Sequence, residues 1–194
     1  MVQSKKMSLT RPLILASKSP RRYELLKRMD LDFRVESIDV AETYPSDLPS
    51  SEVPRYLAEK KAQAYHHLLK DEILIAADTV VILGEEILGK PKNKPEAVEQ
   101  FSKLSGKTHK VITGVCLLSR EKMESFQDIT AVTFKSLTEE EIQYYIDNYQ
   151  PYDKAGAYGI QEWIGLIAVT EIRGSFFNVV GLPVHRIYEA IKVF

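Results

Sequence analysis

An almost uninterrupted apolar stretch, Ile73–Leu83, constrains the fold more than any other part of the sequence. A run that is apolar at successive positions leaves no face for water, so it predicts a strand covered on both sides. The run contains Asp78 and Thr79. A carboxylate is costly to bury unless it contacts a cation, a metal or several donors, which makes Asp78 a candidate functional residue. The alternative, an Asp that caps a turn, is weaker because apolar residues continue on both sides.

A second informative stretch, Leu13–Met29, predicts a short buried strand, a loop of small polar residues and an abrupt helix. Ser19 suits the N-cap of that helix and Pro20 its first position. Arg21 and Arg22 then fall in the first turn, where the helix dipole already presents positive partial charge. An anion would relieve this repulsion, and helix N-termini bind phosphate for the same reason. The pattern indicates a phosphate or nucleotide site, the alternative being a solvated basic turn.

Two lysines and a glutamate are further candidates. The helix predicted from about residue 52 to residue 69 places Lys61 in the middle of its apolar face, so the ammonium either snorkels to solvent or points into a polar cavity. Lys90 lies between a glycine and a proline, and is either a cleft cation or a solvated loop charge. Glu42 follows a strand predicted over residues 32–40 and, by itself, is typical of a surface acid.

The remaining chain alternates strand-like and helix-like segments without internal repeats, which favours an α/β architecture. We expect antiparallel strands at 110–119 and 128–137, a strand at 164–172 and a closing helix at 182–193. The loop Pro151–Gln161 contains small residues that allow the backbone to approach a ligand closely. The polar side chains of this loop are candidates for the same site: Asp153, Lys154 and Gln161.

Composition restricts the class of protein. The length of 194 residues and an apolar content of 44% suit one domain or two close lobes, and we expect a domain over residues 11–194 after a flexible tail over residues 1–10. The net charge of −1 argues against a nucleic-acid partner. The single cysteine, Cys116, cannot form an intrachain disulfide, which is typical of a cytoplasmic protein. No segment is predicted to span a membrane or to act as a signal peptide.

Several nucleotide-binding and metal-binding signatures are absent from the sequence. It contains neither the G-x-x-x-x-G-K-[ST] loop nor G-x-G-x-x-G, and its histidines lack the spacing of a structural zinc site. The remaining candidates are Arg and Lys side chains with a few carboxylates. That set suits a polyphosphate bridged by an oxygen-bound divalent cation, Mg²⁺ or Mn²⁺.

The combination of motifs resembles the Maf family of Maf-like (septum formation) nucleoside triphosphate pyrophosphatases. The motifs occur in family order from about Pro12 to the C-terminus: LILASKSPRRYELL, AADTVV, LGKP, DITAVTFKSLT, PYDKAGAYGIQ and NVVGLP. The resemblance implies the inosine-triphosphatase-like (Maf/Ham1) α/β fold, with an elongated mixed sheet and two lobes around a central cleft, usually as a homodimer. It also implies cleavage of a nucleoside triphosphate between the α and β phosphorus atoms, with a divalent cation.

The resemblance further implies roles for individual residues. Asp78 corresponds to the proton acceptor, and Glu42, with Asp78, to the acids that serve the metal. Three positions mark the branch that hydrolyses dTTP and UTP: Arg21, Thr79 and Gln161. Four others correspond to polar residues at the phosphate end: Ser17, Arg22, Lys61 and Lys90. The sequence departs from the family pattern at Ala41, Gln150 and Phe176, and the first of these weakens the metal assignment.

Both lines of reasoning meet at Asp78. We expect Lys61, Lys90 and Arg22 to keep this carboxylate ionised, so that it activates water for attack on the α-phosphorus without a covalent intermediate. Two alternatives stay open. One is a nucleotide sensor that regulates septation through a partner protein, and the other is a house-cleaning pyrophosphatase that acts on methylated guanine or inosine triphosphates.

Overall fold

The computed structural model describes Leu9, residues 11–37 and residues 39–194. Within these residues the sheet contains β1 (Leu13–Ala16), β2 (Phe33–Glu36), β3 (Ile73–Leu83), β4 (Glu86–Leu88), β5 (Thr108–Leu118), β6 (Met123–Phe134) and β7 (Val169–Arg173). The helices are α1 (Pro20–Lys27), α2 (Val53–Gln63), α3 (Lys94–Leu104), α4 (Glu139–Tyr149), α5 (Trp163–Ala168), α6 (Phe176–Val180) and α7 (Val184–Val193).

The strands form one mixed sheet in the order β2-β1-β3-β5-β6-β7, with β4 paired to the end of β3. Strands β2, β1 and β3 are parallel to one another, whereas the pairs β3–β5, β5–β6 and β6–β7 are antiparallel. The predicted α/β class and mixed sheet are therefore confirmed. Because β3 belongs to both the parallel and the antiparallel part, residues in its middle lie where the two parts of the sheet meet.

Strand β3 is covered on both faces, as its sequence predicts. One set of alternate side chains, which includes Leu74 and Ala76, packs against α2. The other set, which includes Ile73 and Ile75, packs against α1 and α7. Since successive strand residues point to opposite faces, Asp78 faces α2 while Thr79 faces α1.

The first helix begins where the local signals place it. The Ser19 hydroxyl accepts a hydrogen bond from the Arg22 backbone amide at 3.4 Å, and Pro20 is the first helical residue. This cap fixes the direction in which α1 leaves β1. Helix α4 begins with a capping box, formed between Thr138 and Glu141.

Some predicted elements were wrong in extent or type. Helix α2 ends at Gln63 rather than near residue 69, because the chain then tightens into a 3₁₀ turn at His66–Leu68, which leaves Leu68 half exposed. The strand predicted at 164–172 is helical in its first half, where Ile164 and Ala168 face the core four residues apart. Short apolar runs suit either structure, so periodicity alone did not decide between them.

The strand predicted over residues 32–40 is limited to Phe33–Glu36, although residue 38 lies outside the described residues. The expected tail over residues 1–10 also lies outside them, apart from Leu9, which packs against the cluster around α1 and α7. In the part of the chain that the structure describes, no helix is long and apolar enough to cross a bilayer.

Candidate active site

One cleft, with a volume of about 570 Å³, brings together all the polar residues singled out in the sequence. Its lining comes from the loop between β1 and α1, the segment around Glu42, helix α2, the middle of β3, the loop after β4 and the loop that follows α4. The predicted residues that line it are Ser17, Arg21, Arg22, Glu42, Lys61, Asp78, Thr79, Lys90, Asp153, Lys154 and Gln161. Segments far apart in the chain therefore converge on one concave surface.

On the α2 side of β3, the cleft contains a chain of ion pairs centred on Lys61. The Lys61 ammonium donates hydrogen bonds to Asp78 Oδ1 and, at 2.7 Å, to Glu42 Oε1. Lys90 Nζ lies 3.9 Å from the other Glu42 oxygen. Asp78 is only 8% exposed, and Lys61 points into the cleft instead of reaching solvent. This arrangement gives the buried carboxylate the cation that its burial requires.

The charges around Glu42 favour its ionised form. Partial burial raises the pKa of Glu42, but the hydrogen bond and the charge of Lys61 oppose it. The charges of Lys90 and Arg22 act in the same direction, so the net pKa of Glu42 lies below its usual range. The cleft therefore holds a carboxylate that stays anionic at neutral pH between two lysines.

On the opposite side of β3, Arg22 is held by the protein itself. Its guanidinium donates to Gly181 O at 2.9 Å, to Ala77 O at 2.8 Å and to Thr79 Oγ1 at 3.0 Å. Desolvation lowers the pKa of Arg22, while the nearby charge of Asp78 acts against this. The sequence pattern marked Arg22 as a phosphate ligand and carried no signal for these bonds, which tie α1 to β3 and to the turn after α6.

At the rim of the cleft, Arg21 connects α1 to the loop that follows α4. Its guanidinium donates to Asp153 Oδ2 at 2.6 Å, and Lys154 Nζ donates to Asp153 Oδ1 at 2.7 Å. Burial raises the pKa of Asp153, but these two cations outweigh it and bring the pKa to about 2. The Arg21–Asp153 contact therefore joins α1 to the loop after α4 at a place where both line the cleft.

Two residues that sequence reasoning missed support this rim. Glu162 lies 3.3 Å from Lys154 Nζ and accepts a hydrogen bond from the Tyr145 hydroxyl. The same hydroxyl accepts a hydrogen bond from the Gly159 amide at 3.0 Å, so Tyr145 attaches the loop after α4 to that helix. The sequence carries no local signal for the direction of the Tyr145 hydroxyl, because its partners Gly159 and Glu162 lie 14 and 17 residues further along the chain.

Ser17 and Gln161 differ in how firmly they are held. Ser17 Oγ accepts a hydrogen bond from the Ser19 amide at 3.1 Å, which shapes the loop before α1. Gln161 is exposed, and among the described residues its side-chain amide has no hydrogen-bond partner. An amide both donates and accepts, so Gln161 is free to contact a ligand through either group.

The two carboxylates decide whether a metal ion fits this cleft. Among the described residues, no group of three or more His, Cys, Asp or Glu side chains is arranged to hold a metal ion. Glu42 and Asp78 nevertheless contact the same Lys61 ammonium through one oxygen each, so the two carboxylates lie close together and the second oxygen of each is not bonded to Lys61. Mg²⁺ is commonly held by one or two carboxylates together with substrate phosphates, and these residues fit that arrangement.

Comparisons with known proteins agree along almost the whole chain. The family model described as "Maf-like protein" matches residues 12–194. A dTTP/UTP pyrophosphatase of Bacteroides thetaiotaomicron is 50% identical over 182 residues, which cover 93% of this chain and 94% of that protein. A dTTP/UTP pyrophosphatase of Flavobacterium psychrophilum is 52% identical over 91% of each chain.

Among solved structures, the Ham1 protein of Staphylococcus aureus aligns over 64% of this chain and 72% of its own, with a TM-score of 0.49 and 16% identity. The sequence matches are far stronger than this structural likeness, and they extend across every segment that lines the cleft. The chain therefore belongs to the Maf family.

Proposed function

We propose that this protein hydrolyses dTTP and UTP to the nucleoside monophosphate and pyrophosphate. The observation that carries the proposal is the buried Asp78 carboxylate, which faces the cleft with Lys61 beside it. Simple binding of an anion does not require a buried acid. The relatives from Bacteroides and Flavobacterium, at 50% and 52% identity, carry the name dTTP/UTP pyrophosphatase, which supports the same activity here.

In the proposed reaction, Asp78 accepts a proton from the water that attacks the α-phosphorus. Lys61 occupies Oδ1 of Asp78, while none of the described residues donates a hydrogen bond to Oδ2. Oδ2 is therefore the atom that takes the proton as the new P–O bond forms. The bond between the α-phosphorus and the bridging oxygen breaks, and pyrophosphate leaves with the bond electrons.

The cations of the cleft stabilise the negative charge that collects on the leaving pyrophosphate. Lys61 and Lys90 lie on the same side as Asp78, and Arg21 and Arg22 lie at the start of α1. Because these groups are already oriented by protein contacts, little reorganisation is needed when the charge develops. Glu42 holds Lys61 and Lys90 in this arrangement.

A divalent cation, Mg²⁺ or Mn²⁺, completes the proposed site. Glu42 and Asp78 are the residues that would hold it, and it would supply charge neutralisation at the phosphate oxygens.

We also propose that the protein acts in the cytoplasm as a homodimer and has no nucleic-acid partner. The net charge of −1, the free buried Cys116 and the exposed aromatic rings of Phe176 and Phe177 support this view.

Recognition of the base is assigned to Thr79 and Gln161. Thr79 lines the cleft on the side of β3 that faces α1, and Gln161 lines it near α1. Both side chains carry groups that can hydrogen-bond the edge of a pyrimidine. Arg21 lies beside them at the rim. The proposal therefore separates the chemistry around Asp78 from the recognition around Thr79.

The test is pyrophosphate release from dTTP, UTP, dCTP, CTP, GTP and ATP, with Mg²⁺ or Mn²⁺. We expect kcat/KM for dTTP and UTP to exceed the other values by about tenfold or more, the discrimination that one or two polar contacts supply. Equal rates on all six would contradict the proposed specificity. Binding of dTTP without pyrophosphate release would favour the nucleotide sensor, and preference for methylated guanine or inosine triphosphates would favour the purine enzyme.

A further inference from the structure

A chain of buried hydroxyl groups leads away from Thr79 into the protein. Thr79 of β3 lies directly opposite Thr113 of β5, and their Oγ1 atoms are 2.9 Å apart. Thr113 Oγ1 lies 3.1 Å from the backbone carbonyl oxygen of Asn178 in α6. Thr113 and Asn178 are completely buried, whereas Thr79 is partly exposed and lines the cleft.

The direction of each hydrogen bond in this chain follows from the groups at its two ends. A guanidinium has only donors, so Thr79 Oγ1 accepts from Arg22 Nη2 at 3.0 Å. A carbonyl oxygen has only lone pairs, so Thr113 donates its hydroxyl hydrogen to Asn178. The Thr79 hydrogen is then the one that fills the contact between the two threonines.

The opposite polarity makes poorer bonds. If Thr113 donated to Thr79, the Thr79 hydrogen would turn either to Gly181 O, which is 3.4 Å away, or to the cleft. The 3.1 Å bond from Thr113 to Asn178 would also be lost. Because the opposite polarity gives up the buried bond to Asn178 and offers only a long one to Gly181 within the protein, the structure favours the direction from Arg22 through Thr79 and Thr113 to Asn178.

The far end of the chain is held firmly. The Asn178 side-chain amide donates to Val111 O at 3.1 Å and to Thr130 Oγ1 at 3.0 Å. Thr130 Oγ1 in turn donates to Ser175 O at 3.1 Å. These bonds fix α6 against β5 and β6, so the carbonyl that receives the Thr113 hydrogen does not change position readily.

Resting on the proposed function, we propose that Thr113, held by Asn178, is a positioning residue for Thr79. Because Thr79 donates its hydrogen to Thr113, its Oγ1 offers only a lone pair to the cleft. That lone pair accepts a hydrogen bond from the N3–H of thymine or uracil. The base N3–H is a donor that dTTP and UTP share. Cytosine carries a lone pair at N3 instead, so two acceptors would face each other and binding would weaken. The direction of these buried hydrogen bonds thus makes the site prefer uracil or thymine to cytosine.

The discriminating variant is Thr113→Val, which keeps the shape of the side chain but removes its hydroxyl. Thr79 then loses its close acceptor and keeps only the long contact with Gly181 O, so its hydrogen can turn toward the cleft, where it suits cytosine N3. We expect the ratio of kcat/KM for UTP over CTP to fall about tenfold, the worth of one hydrogen bond. Thr113→Ser, which restores both donor and acceptor, keeps the wild-type ratio.

A matched control removes a similar threonine pair elsewhere on β5. Thr108 and Thr133 share a hydrogen bond of 2.8 Å between β5 and β6, on an exposed part of the sheet away from the cleft. Thr108→Val is expected to leave the UTP over CTP ratio unchanged. A Thr113→Val variant that keeps the wild-type UTP over CTP ratio, whether or not its total activity falls, would overturn the inference.

Binding of the α,β-methylene analogues of UTP and CTP, measured by calorimetry, separates this inference from the proposed activity. If the wild-type protein binds the UTP analogue selectively, and Thr113→Val does not, the inference stands even where no pyrophosphate is released. If the wild-type protein hydrolyses UTP selectively and Thr113→Val binds both analogues in the wild-type ratio, the activity stands and the inference fails.

Discussion

Asp78 and Thr79 are neighbours on β3, yet they lie in two different chemical environments. Asp78 faces α2 and shares the Lys61 ammonium with Glu42, so its surroundings are charged. Thr79 faces the opposite side and lies in a chain of hydroxyl and carbonyl groups that Arg22 begins. One strand therefore supplies the cleft with a carboxylate among ion pairs on one side and, on the other, a hydroxyl whose partners are one guanidinium and a series of neutral groups.

The difference shows how a single buried strand can separate chemistry from recognition. Charges on one side stabilise developing charge, and that effect is large in a site screened from water. Neutral hydrogen bonds on the other side contribute about 1 kcal/mol each, which suits a choice between similar bases. We therefore expect changes on the Asp78 side to lower turnover on every substrate, and changes on the Thr79 side to alter the ratio between substrates.

The largest expected effect follows from Asp78→Asn. The amide keeps the size of the side chain but cannot accept the proton, so we expect kcat to fall about a thousandfold, in the range found for general bases. The fall is expected to be equal for dTTP and dCTP, because Thr79 is unchanged. Pyrophosphate release measures both rates.

The control for this change is Asp147→Asn on α4, which alters an exposed ion pair with Lys94 outside the cleft. It is expected to keep the wild-type rate to within about twofold. Thermal unfolding of both variants, followed by circular dichroism, checks that the fold is retained. If folded Asp78→Asn protein hydrolyses dTTP at close to the wild-type rate, Asp78 is not the general base.

A smaller effect is expected from Lys61→Met, compared with the same change at Lys60. The Lys61 stem packs as before, but Asp78 and Glu42 lose the cation between them, and we expect kcat/KM to fall about a hundredfold. Lys60 instead donates to Thr43 O and Thr43 Oγ1, at 2.8 Å and 2.9 Å. Lys60→Met is expected to change kcat/KM by about twofold at most.

The two lysines thus test whether charge near Asp78, rather than charge on α2 in general, supports turnover. Steady-state kinetics with dTTP compares both variants with the wild-type protein. Equal losses in the two variants would indicate a general effect of charge on binding, and the distinction between the two sides of β3 would not hold.

Features that depend on neighbouring residues were predictable from the sequence. The continuous apolar run predicted β3 and its burial on both faces, and Ser19 with Pro20 predicted the start of α1. The helical periodicity around Lys61 also predicted its place on the apolar face and left two directions for the ammonium, of which the structure has the one into the cleft. In each case the signal comes from residues within a few positions of one another.

Features that depend on distant segments were not predictable in this way. The bonds of Arg22 join it to Ala77 and Gly181, which lie 55 and 159 residues away in the chain. In the sequence, Thr113 does not differ from other threonines in strands, because its role depends on its contact with Asn178. The resemblance to the Maf family identified the residues of the cleft, but the direction of their hydrogen bonds required the structure.

The smallest expected effect concerns Asp153, at the rim on the Thr79 side. Arg21 and Lys154 bring its pKa to about 2 in the folded protein, below the ordinary value of 3.8, so its ion pairs stabilise the fold above about pH 4 and lose that contribution as the pH falls toward 2. The side chain is 58% exposed, and screening by water limits the contribution to less than about 1 kcal/mol. Urea unfolding of the wild-type protein and Asp153→Asn should show a difference at pH 6 that shrinks at pH 3 and in high salt. A difference that grew on acidification would mean that the rim stabilises the fold without its charge.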